Sequence, residues 1–195
     1  MLLQKLKVDT LAAHRKTERF FYGKEIMSGT LTRTQYGEMI QKNHYIFSMV
    51  EPKIAEVFSK LYGEETEFLP ATNRRDFLAA DLRELEINPV DFTVDMPALD
   101  NKAVLTGALY VIEGSMLGGQ MIGKKLADNV ALPDAEGLHF YRPHRKVTGT
   151  RWRNFCNFAE SQGEDLDYED VLRGALETFS FFQKVYGHSL RVTAQ

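Results

Sequence analysis

Apolar residues recur every three or four positions along most of this chain, which is the period of an amphipathic α-helix. A capping-box pattern at Thr32 and Gln35 predicts a helix start, and Pro52 is expected to kink or end that helix near Glu51. No segment shows useful strand alternation. The predicted helices are about 2–21, 32–51, 74–85, 100–129 and 152–160, with a last one opening at Asp167. The pattern therefore predicts an all-α helical bundle of six or seven helices, with residues 1–195 as a single domain.

Composition narrows the classes of function without naming one. The 195 residues carry a formal net charge of -3, so nothing global points to nucleic acid, an anionic membrane or a basic partner. The single cysteine, Cys156, excludes an internal disulfide and a cysteine-based metal cluster, and it fits a reducing compartment. The first residues lack the apolar core of a signal peptide, and no apolar run approaches the ~20 residues of a membrane span. We expect a cytoplasmic protein that is not inserted in a membrane.

The predicted helix at about 100–129 is unusual because five glycines interrupt it. They are Gly107, Gly114, Gly118, Gly119 and Gly123. Each interior glycine costs about 1 kcal/mol relative to alanine, so a compensating contact is expected. Another helix packed on the bare backbone would provide it, and so would a flat ligand. The four-residue spacings 114–118 and 119–123 clear a strip wide enough for a planar macrocycle, yet both explanations remain open.

A histidine in the first predicted helix has neighbours suited to metal binding. Glu18 lies one turn after His14, where its carboxylate can accept the Nδ1 proton and leave Nε2 free for a metal. Leu11 and Lys7 lie on the same face, one and two turns earlier. Lys7 is a candidate cation for an acidic group of a ligand, although a solvated lysine is the simpler interpretation.

Three segments resemble one known family. Residues 109–120 read LYVIEGSMLGGQ and closely resemble the distal-helix signature of haem oxygenases, especially the bacterial biliverdin-forming branch. Residues 11–18, LAAHRKTE, look like the family's proximal helix. The region from Phe140 to Phe155 looks like its later motif block. The resemblance spans most of the chain in the expected order.

That resemblance implies a site. His14 would be the axial iron ligand with Glu18 as its partner, Gly114 and Gly118 would supply the distal backbone near the iron-bound oxygen, and Lys7 would contact a propionate. The resemblance departs at Ser115, a third catalytic candidate, because animal members carry there an acidic residue that holds a water network. The other candidate haem contacts are Leu11, Tyr110, Gly119 and Phe179.

The resemblance also implies an activity. Haem b would be cofactor and substrate at once, sandwiched between a proximal and a glycine-rich distal helix. Oxidative cleavage with O2 would yield biliverdin, carbon monoxide and ferrous iron. Electrons would come from a ferredoxin or an NADPH-linked reductase. Iron release and biliverdin supply to a phytochrome-like acceptor are alternative purposes.

Three other functions compete with this one. A non-catalytic haem carrier or sensor on the same fold stays open because of Ser115. A di-iron oxidase needs inward carboxylates and histidines at helical spacing, whereas Glu38 and His44 do not share a face. A thiaminase-like hydrolase needs a nucleophilic cysteine, and the setting of Cys156 favours core packing.

Overall fold

The computed structural model describes residues 1–63, 66, 68–90, 92–132, 138–141 and 148–190. Within these ranges the protein is all-helical, which confirms the predicted fold class, and it has eight helices rather than six or seven. The helices are α1 (Leu2–Asp9), α2 (Leu11–Glu18), α3 (Gly23–Ser28), α4 (Arg33–Tyr62), α5 (Arg74–Leu85), α6 (Lys102–Ala127), α7 (Thr148–Ser161) and α8 (Tyr168–Gly187). Residues 133–137 and 142–147, between α6 and α7, lie outside the described residues.

The tightest helix pair is α6 against α8. A Cβ atom at Gly107 of α6 would lie 1.9 Å from the Val171 carbonyl oxygen, and one at Gly174 of α8 would lie 2.1 Å from the Val104 carbonyl oxygen. Only glycine allows two backbones to approach this closely. Helices α1, α2, α3, α4 and α7 pack on this pair, and α5 packs on α4.

The first predicted helix is in fact two. Thr10 separates α1 from α2, and its hydroxyl donates to the Leu6 carbonyl oxygen at 2.7 Å. The start of α1 is held by Glu160 of α7, whose carboxylate accepts the N–H groups of Leu2 and Leu3 at 3.1 and 3.0 Å. The Gln183 amide of α8 donates to the Ala13 carbonyl oxygen of α2 at 3.2 Å. The N-terminal segment is therefore anchored by the last two helices.

Helix α4 begins as predicted but does not end near Glu51. Thr32 accepts the Gln35 N–H at 3.2 Å and the Gln35 side chain accepts the Thr32 N–H at 2.9 Å, which confirms the capping box. The helix continues past Pro52 to Tyr62, although a proline in a helix interior costs about 3 kcal/mol or more. Glu51 is buried, as is Ile54, so packing on both sides of the proline offsets that cost.

Among the helices that the structure describes, none is both long enough and apolar enough to cross a bilayer.

Candidate functional site

The predicted metal ligand, His14, lies on α2 with much of its ring open to solvent. Its side chain is 56% exposed, and Nδ1 lies 3.6 Å from a carboxylate oxygen of Glu18. That distance is an electrostatic contact rather than a full hydrogen bond. The imidazole meets the ring of Phe179 of α8 edge-on, with 5.9 Å between centroids and 80° between planes. One ring nitrogen thus faces a carboxylate, and Phe179, itself buried, supports the ring.

The two other predicted contacts on these helices are exposed. Leu11, one turn before His14, is 42% exposed, and Lys7 of α1 also faces solvent. Single exposed leucines are common on protein surfaces, so Leu11 is of interest here only because it lies one turn before His14.

The five glycines of α6 occupy different environments. Gly107 packs on the α8 backbone, and a Cβ at Gly123 would lie 2.7 Å from the Tyr141 carbonyl oxygen. A Cβ at Gly114 would touch the Trp152 ring at 3.4 Å, and one at Gly119 would touch Tyr141 at 3.9 Å. At Gly118 it would meet no atom of the described residues within 4 Å. The predicted clear strip therefore does not extend to Gly123, which serves close backbone packing.

Open space at Gly118 is bordered along α6 by exposed apolar side chains. Leu117 is 38% exposed and Met121 is 61% exposed. These positions contrast with the fully buried start of the helix at Val104 and Leu105. The middle of α6 thus presents bare backbone flanked by uncovered apolar groups.

Ser115 turns its hydroxyl back onto its own helix. Its Oγ donates to the Ile112 carbonyl oxygen at 2.7 Å. The proton of the hydroxyl is engaged, so the side chain offers lone pairs to a neighbouring donor. A serine hydroxyl is neutral, so this position carries no negative charge.

Tyr110 connects α6 with the break between α1 and α2. Burial raises the pKa of the Tyr110 hydroxyl, and a hydrogen bond with Thr10 partly offsets that rise. The ring also lies 5.9 Å from the ring of Trp152. Tyr110 and Ala13 belong to one apolar cluster around Leu6 and Phe179, so α6 and α2 are neighbours at this point.

Other titratable groups take structural roles. His139 pairs with Glu84 at 2.5 Å, and Glu38 pairs with the buried Lys42. His139 and Glu38 are therefore engaged in ion pairs within the protein. Burial raises the pKa of the Cys156 thiol, which fits the predicted core packing. In the described part of the chain, no three or more histidine, cysteine, aspartate or glutamate side chains are grouped as a metal site.

Sequence reasoning missed a buried ion cluster next to the glycines. Glu113 of α6, which directly precedes Gly114, pairs with Arg74 of α5 and Arg151 of α7. The sequence feature that could have indicated this cluster is a glutamate on the same apolar stripe of the helix as Leu109, Ile112 and Met116. The Arg151 guanidinium is thereby held against Glu113 at 3.2 Å.

Comparison with known proteins assigns the chain to a family. The sequence model described as heme oxygenase matches residues 1–188. The chain belongs to the haem oxygenase family. A heme oxygenase of Xanthomonas campestris pv. campestris (strain 8004) is 29% identical over 156 residues, which are 79% of this chain and 90% of that protein.

Solved haem oxygenase structures share the fold. The enzyme of Leptospira interrogans gives a TM-score of 0.71 at 19% identity, covering 95% of this chain and 98% of the other. The NO- and CO-bound haem oxygenase of Neisseria meningitidis gives 0.69 at 22% identity, covering 98% and 95%. The all-helical haem oxygenase fold predicted from the sequence is thus confirmed.

Haem fits the residues at this site of the haem oxygenase chain. An exposed imidazole with Nδ1 toward a carboxylate suits an axial ligand, since proximal histidines commonly hold haem iron and a carboxylate orients the ring. The open space at Gly118 and the exposed Leu11, Leu117 and Met121 suit an apolar macrocycle.

Proposed function

We propose that this chain is an active haem oxygenase, which cleaves haem b to biliverdin, carbon monoxide and ferrous iron with O2 and external electrons. The observation that carries the proposal is the exposed His14 ring, with its Nδ1 toward Glu18 and its edge on Phe179. Membership of the haem oxygenase family supports an enzyme, and the products are what that family's general activity supplies.

In this proposal His14 binds the iron through Nε2. The Glu18 carboxylate, 3.6 Å from Nδ1, favours the tautomer with the proton at Nδ1, which leaves the lone pair of Nε2 available. Phe179 supports the imidazole from α8. Leu11 covers one face of the macrocycle, and Lys7 pairs with a propionate.

In this proposal the middle of α6 would form the second wall of the site. Bound haem would supply both the iron at which O2 is reduced and the ring that is opened. The bare backbone of Gly118 would face that ring, with Gly114 beside Trp152 and Gly119 beside Tyr141 next to it, and Tyr110 lies where α6 meets Thr10. Ser115 accepts a hydrogen bond from a water molecule, because its own proton is held by Ile112.

The test is to add haem to the purified protein and record the absorption spectrum before and after a reductase system or ascorbate, with catalase present to remove free peroxide. The wild type should show a Soret band that decays as biliverdin absorption grows. His14→Ala should lose normal ligation, whereas His188→Ala, which removes another exposed histidine, should behave as wild type. Stable haem without turnover would instead indicate a carrier or sensor, and the absence of binding would refute the site.

The proposal also includes a source of electrons and a destination for biliverdin. Electrons come from a ferredoxin or an NADPH-linked reductase, and biliverdin passes to a phytochrome-like protein or is a by-product of iron release. Turnover with each donor, in the same spectral experiment, separates the two electron sources.

A further inference from the structure

Four charged side chains form a chain through the interior where α4, α5, α6 and α7 meet. Arg74 NH2 lies 2.8 Å from Oε1 of Glu113, and Arg74 NH1 lies 3.8 Å from Oε1 of Glu51. Arg151 NH2 donates to Oε1 of Glu113 at 3.2 Å. The side chains of Glu51, Arg74 and Glu113 are each only 2% exposed, so the cluster is shielded from water except at Arg151, which is 34% exposed.

The two carboxylates of this cluster do different work. Glu51 accepts the backbone N–H groups of Arg74 and Arg75 at 3.0 and 3.2 Å, so it caps the start of α5 from α4. Burial raises the pKa of Glu113, but the guanidinium groups of Arg74 and Arg151 outweigh this and hold the pKa below its usual value. Glu113 is therefore a carboxylate of α6 held in place by α5 and α7.

Consecutive residues on α6 meet consecutive residues on α7. Glu113 pairs with Arg151, and Gly114 faces the ring of Trp152, which would lie 3.4 Å from a Cβ there. Arg151 also donates to the Leu69 carbonyl oxygen at 3.3 Å, which ties the guanidinium to the segment before α5. This part of α6 is held by charge and by an aromatic ring at once.

The next turn of α6 is held less closely. Among the described residues, no heavy atom lies within 4 Å of a Cβ added at Gly118, one at Gly119 would make an ordinary contact with Tyr141 at 3.9 Å, and a close backbone approach is found again at Gly123, against Tyr141. Near its start, by contrast, α6 is held by α8 at Gly107. The Glu113 cluster therefore lies directly before the exposed turn.

We propose that Glu113 is a positioning residue, which through Arg74 and Arg151 fixes the backbone of Gly114 and the ring of Trp152 and so sets how haem and its small ligands are seated. Its relevance to haem rests on the proposed function. The mechanical part does not, because the contacts are made by the chain alone. Glu113 itself touches no substrate in this proposal.

The first test uses amide hydrogen exchange of the haem-free protein. Glu113→Gln keeps the shape of the side chain and removes its charge, so exchange at residues 114–118 should become about tenfold faster or more, while residues 104–108 stay protected by α8. Glu51→Gln is the matched control, since it breaks the same cluster at the α5 end and should leave 114–118 unchanged. Equal acceleration of both segments, or none, would overturn the proposal.

The second test uses the haem-loaded protein with carbon monoxide on the reduced iron. The C–O stretching frequency reports the surroundings of the ligand, so Glu113→Gln should shift it and Glu51→Gln should not. Arg151→Gln, at the partly exposed end of the cluster, should shift the C–O frequency in the same direction. If Glu113→Gln does not fold, Arg151→Gln replaces it in both the exchange and the frequency measurements. If the variants still bind haem and neither the frequency nor the exchange changes, the proposed role of Glu113 is overturned and the proposed function is not. A wild type that binds no haem would refute the proposed function, and exchange would still decide the mechanical claim.

Discussion

Gly107 and Gly118 lie in the same helix, but their surroundings differ. At Gly107 a side chain is excluded by protein, because the α8 backbone occupies the place of a Cβ. At Gly118 a side chain is excluded by nothing in the described part of the chain. The first glycine secures the fold, and the second leaves a surface that a ligand would explain, since glycine in an exposed helix interior is otherwise unfavourable.

This contrast divides α6 into a structural segment and a functional one. From Ala103 to Leu109 every residue is buried, whereas Leu117, Gly118 and Met121 are exposed. The glycines in the middle of the helix lower its stability. Packing of Gly107 on α8 and of Gly123 on Tyr141 holds the helix on both sides of them.

The largest effect is expected for Gly107→Ala. A methyl group 1.9 Å from the Val171 carbonyl oxygen forces α6 and α8 apart, so the free energy of unfolding should fall by about 3 kcal/mol or more. Urea denaturation followed by circular dichroism measures it. A loss below about 1 kcal/mol would show that the two backbones are not in contact.

The support under Gly123 should depend on pH. The Asp81 carboxylate accepts the N–H groups of His139 and Phe140 at 2.7 and 3.0 Å, next to Tyr141. Burial raises the pKa of Asp81 from 3.8 to about 6. The folded state therefore binds the proton more tightly than the unfolded chain does. The stabilisation that results is complete below pH 3.8 and is lost as the pH rises through 6. Between about pH 4.5 and 7 the wild type should lose about 1–3 kcal/mol of unfolding free energy relative to Asp81→Asn. Parallel pH slopes in urea denaturation would contradict this.

Gly118→Ala should have the opposite sign from Gly107→Ala. Because the site is open and alanine favours helix, the free energy of unfolding should rise by up to about 1 kcal/mol. Haem affinity should fall about tenfold, since a methyl group would enter the space left for the macrocycle. Haem titration and urea denaturation together measure both effects. Unchanged affinity would remove Gly118 from the site.

The smallest effect is expected for Ser115→Ala. The hydroxyl bonds its own helix at Ile112, so the unfolding free energy should change by no more than about 0.5 kcal/mol and haem affinity should stay as in wild type. Urea denaturation and haem titration are the measurements. A marked loss of affinity would show that Ser115 contacts haem directly.

Local signals made much of the fold predictable. The capping box at Thr32, the helix 74–85 and the start of α8 after Asp167 agree with the structure, because caps and apolar periods act within one turn. The break at Thr10 and the continuation past Pro52 depend on tertiary contacts, which no local pattern contains. That residues 1–195 form one domain stays a prediction.

The candidate site was predictable only in part. The contact of His14 with Glu18 follows from helical spacing alone. Which glycine packs and which stays open depends on α8 and on residue 141, far along the chain. The roles of the site residues stay predictions, and so does the cytoplasmic setting.

The N-terminal anchor has a consequence for biosynthesis. Within this chain the helix with His14 is synthesised before the side chains that contact it, Phe179 and Gln183, and before Glu160, which holds the start of α1. Contacts of long sequence separation form only when both partners exist, so these contacts are absent until α7 and α8 have been made. We expect a variant truncated before α7 to leave the His14 helix without them and, on the proposed function, to bind haem poorly.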